Sequence, residues 1–449
     1  MGTACAPNTQ YPTPDIPRTS PLWGAALFLD SAIAKHAAPG AVIAVSSHGH
    51  RWYYGTGRLG QDDPTRPDSL TLYDMASVTK VIVMTTLAID AVREGKLELD
   101  APIQRYVPAF QGPHKDSVTV RHLLTHSAGL PAWRALYLQA DSRATAMALA
   151  DTTPLDTLPG VRMVYSDLGI IVMTQALEGI YGKRLDSLFQ ERVAGPFGMP
   201  SSGYLPVVPE GADAASSSSH GGGSAGPAAS VPTRGRIAPT ELDTAWRKRM
   251  LVGEVHDENA FRLDGVSGHA GLFSNGVDLL TFGEVFLRTW HVDTIVQEFA
   301  RRQGIVPGSS RALGWDTAVP TGTSGHLIDS TSVGHTGFTG PSIWMDPTRD
   351  LVIVVLANRV HPTRANGLWS SMSVRGGVAD RVVEGLEHPQ VGKEEHDRRV
   401  GNAVGVGLIG AVVGGAVGGD EPFGFSAPLP FAAVFAVVGA LGGWSGSGN

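Results

Sequence analysis

The sequence predicts an α+β fold, in which an antiparallel sheet is flanked by helices and carries an inserted all-helical domain. Apolar runs typical of buried strands lie far apart in the chain, at 41–47 and at 351–358. Between these runs, apolar residues recur mostly with helical spacing. A single sheet completed by both ends of the chain accounts for this order, with the helical insert at about residues 85–310.

The first predicted elements are a helix and a hairpin. Residues 21–38 carry apolar side chains at helical spacing. The run AVIAVSS at 41–47 is predicted as a buried strand, and RWYYGTGRL at 51–59 is predicted to pair with it across His-Gly-His. Residues 1–20 are expected to be a disordered leader before the main domain, which we place at 21–388.

The later elements are helices, then two strands and a closing helix. Helical spacing recurs at 81–94, 121–127, 144–150, 168–181 and 279–290. Strand patterns return at 335–346 and 351–358. A helix at about 371–386 is predicted to follow them.

A Gly/Ser-rich stretch at 214–230 is predicted to be a flexible loop. It contains the letters of a nucleophile elbow, G-x-S-x-G, around Ser224. That motif requires a strand before the serine and a helix after it, and the sequence here has neither pattern. Ser224 is therefore not expected to be a catalytic nucleophile.

The tail at 389–449 is rich in glycine and alanine and contains two uncharged runs, 402–419 and 423–444. Each run is about as long as the shortest membrane-spanning helix, but its glycines weaken a helix. Two interpretations stay open: an unstructured extension, or a membrane-associated hairpin with contact through 402–444.

Composition excludes several classes of function. The net charge is −7 and no basic stripe is present, so no nucleic-acid partner is expected. Cys5 is the single cysteine, which rules out an internal disulfide and a thiolate metal cluster. The first residues have neither a basic nor an apolar signal region, so a cytoplasmic location is expected at face value. A periplasmic or membrane-associated location is the alternative.

The stretch YDMASVTKVIVM at 73–84 places Ser77 and Lys80 three residues apart in an apolar run. Residues at i and i+3 share one face of a helix. If Ser77 begins the helix, its backbone N–H has no intrahelical partner and can stabilise an oxyanion. Burial lowers the pKa of a lysine, so we expect Lys80 to be able to accept a proton. The two residues are therefore a candidate nucleophile and base.

Two further stretches carry hydroxyl groups beside charged or imidazole side chains. VYSDLG at 164–169 places Tyr165 two residues before Asp167, at the start of an apolar helix. GHTGFTG at 334–340 places His335 and Thr336 at a turn of small residues next to a strand.

In this order, S-V-T-K at 77–80, Y-S-D at 165–167 and H-T-G at 335–337 resemble the three active-site motifs of serine β-lactamases and penicillin-binding proteins. A tyrosine in the second motif is typical of the class C branch, with its related esterases and D-amino-acid peptidases. The resemblance extends over about residues 20–388 and implies a β-lactamase/transpeptidase-like fold.

The resemblance also implies roles for individual residues. Ser77 would be the acylated nucleophile, and Lys80 and Tyr165 would share the work of general base and proton shuttle. The backbone N–H groups of Ser77 and Phe338 would form the oxyanion hole. The other motif residues are predicted to contact the substrate: Asp167, His335, Thr336 and Gly337. The resemblance implies neither a metal nor an organic cofactor.

Two positions depart from the family pattern. Asp167 stands where class C enzymes usually carry asparagine, and a carboxylate near Lys80 favours the ammonium form of the lysine. His335 stands in place of the usual lysine. We expect its imidazole to titrate near about 6.5 and to pair with a substrate carboxylate when protonated. Both departures favour an esterase or peptidase over a potent β-lactamase.

The predicted function is a serine hydrolase that acts through an acyl-enzyme on an ester or amide. Esterase, D-Ala-type peptidase and weak β-lactamase activities all fit this prediction, and the substrate would be a small-molecule ester, an amide or a D-amino-acid peptide. The alternative is a penicillin-binding or sensor domain that is acylated without turnover. A deacylation base would separate the two, and the sequence offers no candidate beyond Tyr165.

Overall fold

The computed structural model describes residues 14–205, 237–320 and 322–388. The predicted loop at 214–230 with Ser224, the tail at 389–449 and most of the predicted leader lie outside these residues. The α-helices are α1 (Trp23–Ala34), α2 (Thr86–Arg93), α3 (Val120–Leu124), α4 (Leu136–Gln139), α5 (Arg143–Thr152), α6 (Asp167–Tyr181), α7 (Leu185–Phe189), α8 (Gly195–Phe197), α9 (Glu258–Arg262), α10 (Gly276–Trp290), α11 (Thr294–Ala300), α12 (Leu368–Ser371) and α13 (Val374–Glu387).

The strands and the remaining helical turns complete the architecture. The strands are β1 (Gly40–Ser47), β2 (His50–Gly57), β3 (Tyr73–Asp74), β4 (Gly203–Tyr204), β5 (Leu242–Asp243), β6 (Arg249–Met250), β7 (Leu272–Ser274), β8 (Asp316–Thr317), β9 (Val333–Thr336), β10 (Ser342–Asp346) and β11 (Leu351–Ala357). Two π-helical turns (Lys80–Thr85, Gln190–Ala194) and two 3₁₀ turns (Ile103–Arg105, Lys115–Ser117) lie between them.

The main sheet has six strands in the order β2-β1-β11-β10-β9-β8, and every neighbouring pair is antiparallel. Its centre pairs a strand from each end of the chain, with Ala44 of β1 opposite Val354 of β11. The predicted hairpin is present, since Ala44 also lies opposite Tyr53 of β2. The prediction that both chain ends complete one sheet is therefore confirmed.

Both faces of the central strands are buried, which explains why their sequences are continuously apolar. On β11, Val352 and Val354 face the large core that includes side chains of α10, whereas Ile353 and Val355 face α1 and α13. Helix α10 approaches the sheet closely at Gly283, where a Cβ atom would lie 2.5 Å from Val352 Cγ1. Helices thus cover the sheet on both sides, as predicted.

Residues 85–310 hold most of the remaining helices. Helices α2, α3, α5, α6 and α7 bury their apolar side chains together within the large core. Helix α10 lies in the same range but packs against β1 and β11. The short strands β4 and β7 lie there too, and β7 pairs with β3 just ahead of Ser77. The bounds of the insert stay a prediction.

The segment at 335–346, where the sequence indicates a strand and a turn of small residues, consists of the end of β9, a turn and the strand β10. Within the turn, Gly340 N–H donates to the Gly337 carbonyl at 3.0 Å and Gly337 N–H donates to the Pro341 carbonyl at 2.8 Å. Gly340 has a φ of 137°, which only glycine adopts readily. The predicted turn of small residues is present, and it joins two strands where the sequence indicated one. In the described ranges, no helix has the length and apolarity needed to cross a membrane.

Candidate active site

Ser77 lies in a strained turn between β3 and the first helical residues. The preceding residue, Ala76, has a φ of +44°, which is uncommon for a residue with a Cβ atom. The buried Asp74 carboxylate supports this turn by accepting from Ala76 N–H at 2.7 Å. Lys80 N–H donates to the Ser77 carbonyl at 3.0 Å, so Ser77 stands at the helix start, ahead of the first intrahelical donors.

Lys80 is fully buried and contacts three oxygen atoms. Its Nζ lies 2.9 Å from Ser77 Oγ, 3.0 Å from the His269 carbonyl and 2.7 Å from Asp167 Oδ1. Burial lowers the pKa of Lys80, but the charge of Asp167 and the Tyr165 hydroxyl outweigh burial and raise that pKa above its ordinary value. Burial alone therefore does not make Lys80 a neutral base, whereas the raised pKa agrees with the prediction that a carboxylate at Asp167 favours the ammonium form. The resting lysine is an ammonium paired with Asp167.

The second motif is held by the start of α6. Ser166 caps this helix by accepting from Gly169 N–H, and its hydroxyl donates to the Pro131 carbonyl at 2.7 Å. This cap places Asp167 in the first helical turn, directly beside Lys80. The Tyr165 ring lies 4.9 Å from Lys80 Nζ. Burial raises the pKa of Tyr165, while the charge of Lys80 and hydrogen bonds to Lys80 and Ser77 oppose the rise.

His335 on β9 is buried and neutral. Its Nδ1 lies 2.7 Å from the Thr336 carbonyl, which can only accept, so Nδ1 carries the proton. Its Nε2 lies 3.5 Å from Arg311 Nη1. Burial lowers the pKa of His335 well below its usual value, and the positive charges of Arg311 and Lys80 lower it further. The expectation that His335 titrates near its ordinary value is therefore wrong.

The third motif packs against the turn that contains Ser77. A Cβ atom on Gly337 would lie 2.5 Å from the Met75 carbonyl oxygen, so only glycine allows this approach. Beyond it, the Thr339 hydroxyl donates to the Asp74 carbonyl at 2.7 Å. These contacts bring Phe338, between Gly337 and Thr339, to the same turn as Ser77.

Sequence reasoning missed Arg311, the cation of this site. It precedes the short strand β8, and its guanidinium carbon lies 5.1 Å from the centre of the Tyr165 ring. Its relative exposure is 8%, so it is a buried charge beside the third motif. No motif marks it in the sequence, because its position depends on the pairing of β8 with β9.

Sequence reasoning also did not predict what holds the His269 carbonyl, which accepts a hydrogen bond from Lys80. His269, whose carbonyl accepts from Lys80, is fixed by two side chains: its Nε2 lies 2.9 Å from Asp257 Oδ1 and its Nδ1 lies 2.8 Å from Ser267 Oγ. Asp257 in turn caps α9 by accepting from Ala260 N–H at 2.7 Å. This chain of contacts orients the third oxygen around Lys80.

The structure thus brings all three motifs together in two layers. Ser77, Tyr165, Thr336 and Phe338 are half-buried, whereas Lys80, Asp167, His335 and Gly337 are buried. A serine hydroxyl that is reachable from solvent therefore stands above a buried lysine–aspartate pair. This arrangement suits nucleophilic catalysis with proton transfer through the buried layer.

A comparison with protein-family models matches residues 26–372 to the family described as Beta-lactamase. The chain belongs to the beta-lactamase family. The order of the three motifs, their meeting at Ser77 and the extent of the match agree with this membership. The resemblance predicted from the sequence is confirmed.

Relatives of this beta-lactamase family member carry a peptidase name. A protein of Escherichia coli (strain K12) named "Putative D-alanyl-D-alanine carboxypeptidase" is 28% identical over 378 residues, 74% of this chain and 81% of the relative. A protein of Salmonella paratyphi B with the same name is 30% identical over 337 residues, 68% of this chain and 73% of the relative.

Solved structures share the fold of this family member at low identity. A class C beta-lactamase from Rhodobacter sphaeroides has a TM-score of 0.60 and 22% identity, with 81% of this chain and 99% of the other covered. EstCE1, a hydrolase with promiscuous acyltransferase activity, has a TM-score of 0.60 and 20% identity, with the same coverage. The predicted fold class is confirmed, and so is the predicted function class. The protein is a serine hydrolase that acts through an acyl-enzyme on an ester or amide.

Proposed function

We propose that this hydrolase removes the carboxy-terminal residue from peptides that end in a D-amino acid, with Ser77 as the nucleophile. Two arguments support the proposal. The two relatives described above carry the name "Putative D-alanyl-D-alanine carboxypeptidase". The site also contains a buried cation suited to a substrate carboxylate, which a neutral ester lacks.

Arg311 is the observation that carries the proposal. His335 is neutral, so the positive charge for a terminal carboxylate comes from the guanidinium 3.5 Å from its Nε2. Arg311 Nε is buried, and no partner for it is found among the described residues. Buried donors are nearly always satisfied, so a missing acceptor points to a ligand group. A carboxylate supplies that acceptor, with the half-buried Thr336 hydroxyl as a second contact.

Lys80 and Asp167 act as one proton acceptor in this proposal. Ser77 Oγ attacks the carbonyl carbon of the last peptide bond and passes its proton to Lys80 Nζ. Lys80 simultaneously passes one of its own protons to Asp167 Oδ1, which lies 2.7 Å away. The lysine therefore never has to rest in the neutral form, and the raised pKa of Lys80 is compatible with catalysis.

The remaining steps restore the resting protonation of Ser77, Tyr165 and the Lys80–Asp167 pair, with one proton leaving on the amine and one arriving from water. The N–H groups of Ser77 and Phe338 stabilise the oxyanion. The carbon–nitrogen bond then breaks, and the leaving amine takes a proton from the Tyr165 hydroxyl. The Tyr165 oxygen is reprotonated by the pair formed by Lys80 and Asp167. Water attacks the acyl-enzyme and gives a proton to the same pair. Ser77 Oγ leaves with that proton, so the pair serves as the deacylation base.

Active-site labelling tests the proposal. The protein is incubated with a fluorophosphonate probe and with a fluorescent penicillin, the labelled peptide is mapped by mass, and loss of label is followed over time. In parallel, release of D-alanine from an N-acylated peptide ending in D-Ala-D-Ala is measured. We expect label on Ser77, D-alanine release, and loss of both in Ser77→Ala. Ser224→Ala is the matched control and should retain both.

Three results would contradict the proposal. Label on a serine other than Ser77 removes the nucleophile assignment. A penicillin label that never leaves, without D-alanine release, supports the sensor alternative. Hydrolysis of neutral esters without any D-alanine release makes the protein an esterase and removes Arg311 from substrate recognition.

A further inference from the structure

Two buried arginines hold the turn that contains Phe338. Arg375, in the first turn of α13, donates from Nη2 to the Gly337 carbonyl at 2.7 Å and from Nε to the Gly340 carbonyl at 3.1 Å. Arg359, just after β11, donates from Nε to the Phe338 carbonyl at 2.6 Å. Each of the two arginines has a relative exposure of 4%. Three backbone carbonyls of this turn, those of Gly337, Phe338 and Gly340, therefore accept from guanidinium groups.

The contact with Gly337 acts on the same peptide group as the oxyanion donor. The Gly337 carbonyl and the Phe338 N–H belong to one planar trans peptide, so they point in opposite directions from a rigid plane. Fixing the carbonyl therefore fixes the direction of the N–H. A hydrogen bond to the carbonyl also polarises the peptide, and such chains of hydrogen bonds strengthen each member by roughly 10–30%.

We propose that Arg375 is a positioning residue that aims and polarises the Phe338 N–H of the oxyanion hole. The inference rests on the proposed function, in which that N–H stabilises the oxyanion. Arg375 holds the carbonyl end of the peptide with a positive charge, and the N–H end faces the developing negative charge. The tetrahedral intermediate therefore gains more from this contact than the substrate carbonyl does.

Arg359 completes the support by fixing the next peptide and the side chain. Its guanidinium carbon lies 4.5 Å from the Phe338 ring centre, and the His256 ring stacks on Phe338 at 5.7 Å. Arg359 N–H also donates to the Thr339 carbonyl at 2.8 Å. The Gly337 carbonyl also accepts from Gly340 N–H at 3.0 Å within the turn, so Arg375 adds the charged donor to a peptide that the turn already helps to orient.

The test compares Arg375→Gln and Arg375→Lys with a control on the same helix. Arg381 is also buried, at 7% exposure, but it donates to the Gly377 carbonyl and covers Phe28, away from the Phe338 turn. Arg381→Gln therefore reports the cost of losing a buried arginine from α13. For each variant we measure kcat and KM with a nitrophenyl ester, the thermal midpoint, and the inhibition constant of a boronic acid that forms a tetrahedral adduct with the nucleophile.

We expect Arg375→Gln to lower kcat by about 10–100-fold, which is below the roughly 10²–10³-fold cost of deleting an oxyanion donor outright. KM should change less than about threefold, and the boronic acid should weaken in parallel with kcat, because both depend on the tetrahedral oxyanion. Arg375→Lys keeps the positive charge and one hydrogen-bond donor, so its kcat should lie between those of the wild type and Arg375→Gln. Arg381→Gln should keep wild-type kcat even where its thermal midpoint falls.

The inference fails if Arg375→Gln folds and keeps the wild-type kcat. It also fails if Arg375→Lys and Arg381→Gln both lose as much kcat as Arg375→Gln does. It also fails if ester binding and boronic acid binding weaken equally, since that pattern indicates a general loss of site structure. If Arg375→Gln does not fold, Arg375→Lys alone decides, with loss of boronic acid affinity at unchanged KM as the supporting result. Failure of the proposed function is separate, because it is detected by Ser77→Ala in the wild-type background.

Discussion

Replacing Asp167 with asparagine tests the charge pair beneath the nucleophile. Lys80 Nζ and Asp167 Oδ1 are 2.7 Å apart, and the two side chains are 1% and 8% exposed. The amide oxygen of asparagine still accepts a hydrogen bond, but the lysine becomes a buried ammonium with neutral acceptors only. Deleting one partner of a buried pair costs about 3–5 kcal/mol. Because the hydrogen bond is kept, we expect Asp167→Asn to lower the free energy of unfolding by about 2–3 kcal/mol at pH 7.

The loss should depend on pH in a defined direction. In the wild type, the pKa of Lys80 is raised above its ordinary value, so the pair contributes fully below the unfolded pKa of about 10.4 and is lost only as pH rises through the folded pKa. Without Asp167, burial dominates and lowers the pKa of Lys80 below the unfolded value. The variant then gains stability as pH rises and Lys80 loses its proton. The deficit should therefore be largest at pH 6–7 and smaller at pH 9–10.

Urea unfolding followed by circular dichroism at several pH values measures this deficit. At about 2 °C per kcal/mol for a large domain, the thermal midpoint at pH 7 should fall by about 4–6 °C. Asp100→Asn is the control, because Asp100 pairs with Arg121 at 75% exposure and exposed pairs contribute under about 1 kcal/mol. Hydrolysis by Asp167→Asn should be low at pH 7 and should recover with rising pH, as neutral Lys80 becomes the base.

Two outcomes would refute this reasoning. An equal loss of stability at every pH from 6 to 10 would mean that Lys80 is not a buried ammonium paired with Asp167. Undiminished activity at pH 7 would mean that the Asp167 carboxylate takes no part in proton transfer.

Three further predictions concern the substrate side of the site. Arg311→Gln should raise KM for peptides with a free terminal carboxylate by about 10–100-fold, the equivalent of a lost charge-assisted hydrogen bond, and leave neutral esters unchanged; equal effects on both substrates would exclude a carboxylate contact. In the wild type, KM for the same peptides should not change as the pH passes through about 6.5, where an unperturbed histidine titrates, because burial and Arg311 hold the pKa of His335 well below that value; a KM that falls as the pH drops through this range would restore His335 as the cation. Gly337→Ala should lower kcat for esters at least about tenfold, because the added Cβ would lie 2.5 Å from the Met75 carbonyl oxygen and must displace the turn. Gly367→Ala, where an added Cβ meets nothing within 4 Å, is the control, and matching kcat values for the two variants would contradict the argument.

The sequence alone determined the features that depend on local geometry. The spacing of Ser77 and Lys80 places them on one helical face, and in the structure Lys80 Nζ lies 2.9 Å from Ser77 Oγ. The hairpin of β1 and β2 and the closing helix were also predicted, because apolar periodicity follows secondary structure directly. The resemblance of the three motifs was sufficient to predict the family and the class of reaction.

Only the tertiary structure decided the charge state of the site. In the sequence, burial favoured a neutral Lys80 and Asp167 favoured its ammonium form, and the 2.7 Å contact between the two side chains decides for the ammonium. His335 was expected to titrate near its ordinary value unless its neighbours shifted it, and burial and Arg311 do shift its pKa downward. The residues that decide these states, Asp167 and Arg311, lie on α6 and beside β8, far from their partners in sequence. Arg375 likewise reaches the Phe338 turn only because α13 packs against the sheet. A pKa depends on burial and on distances of a few ångströms between charges, and long-range packing sets both.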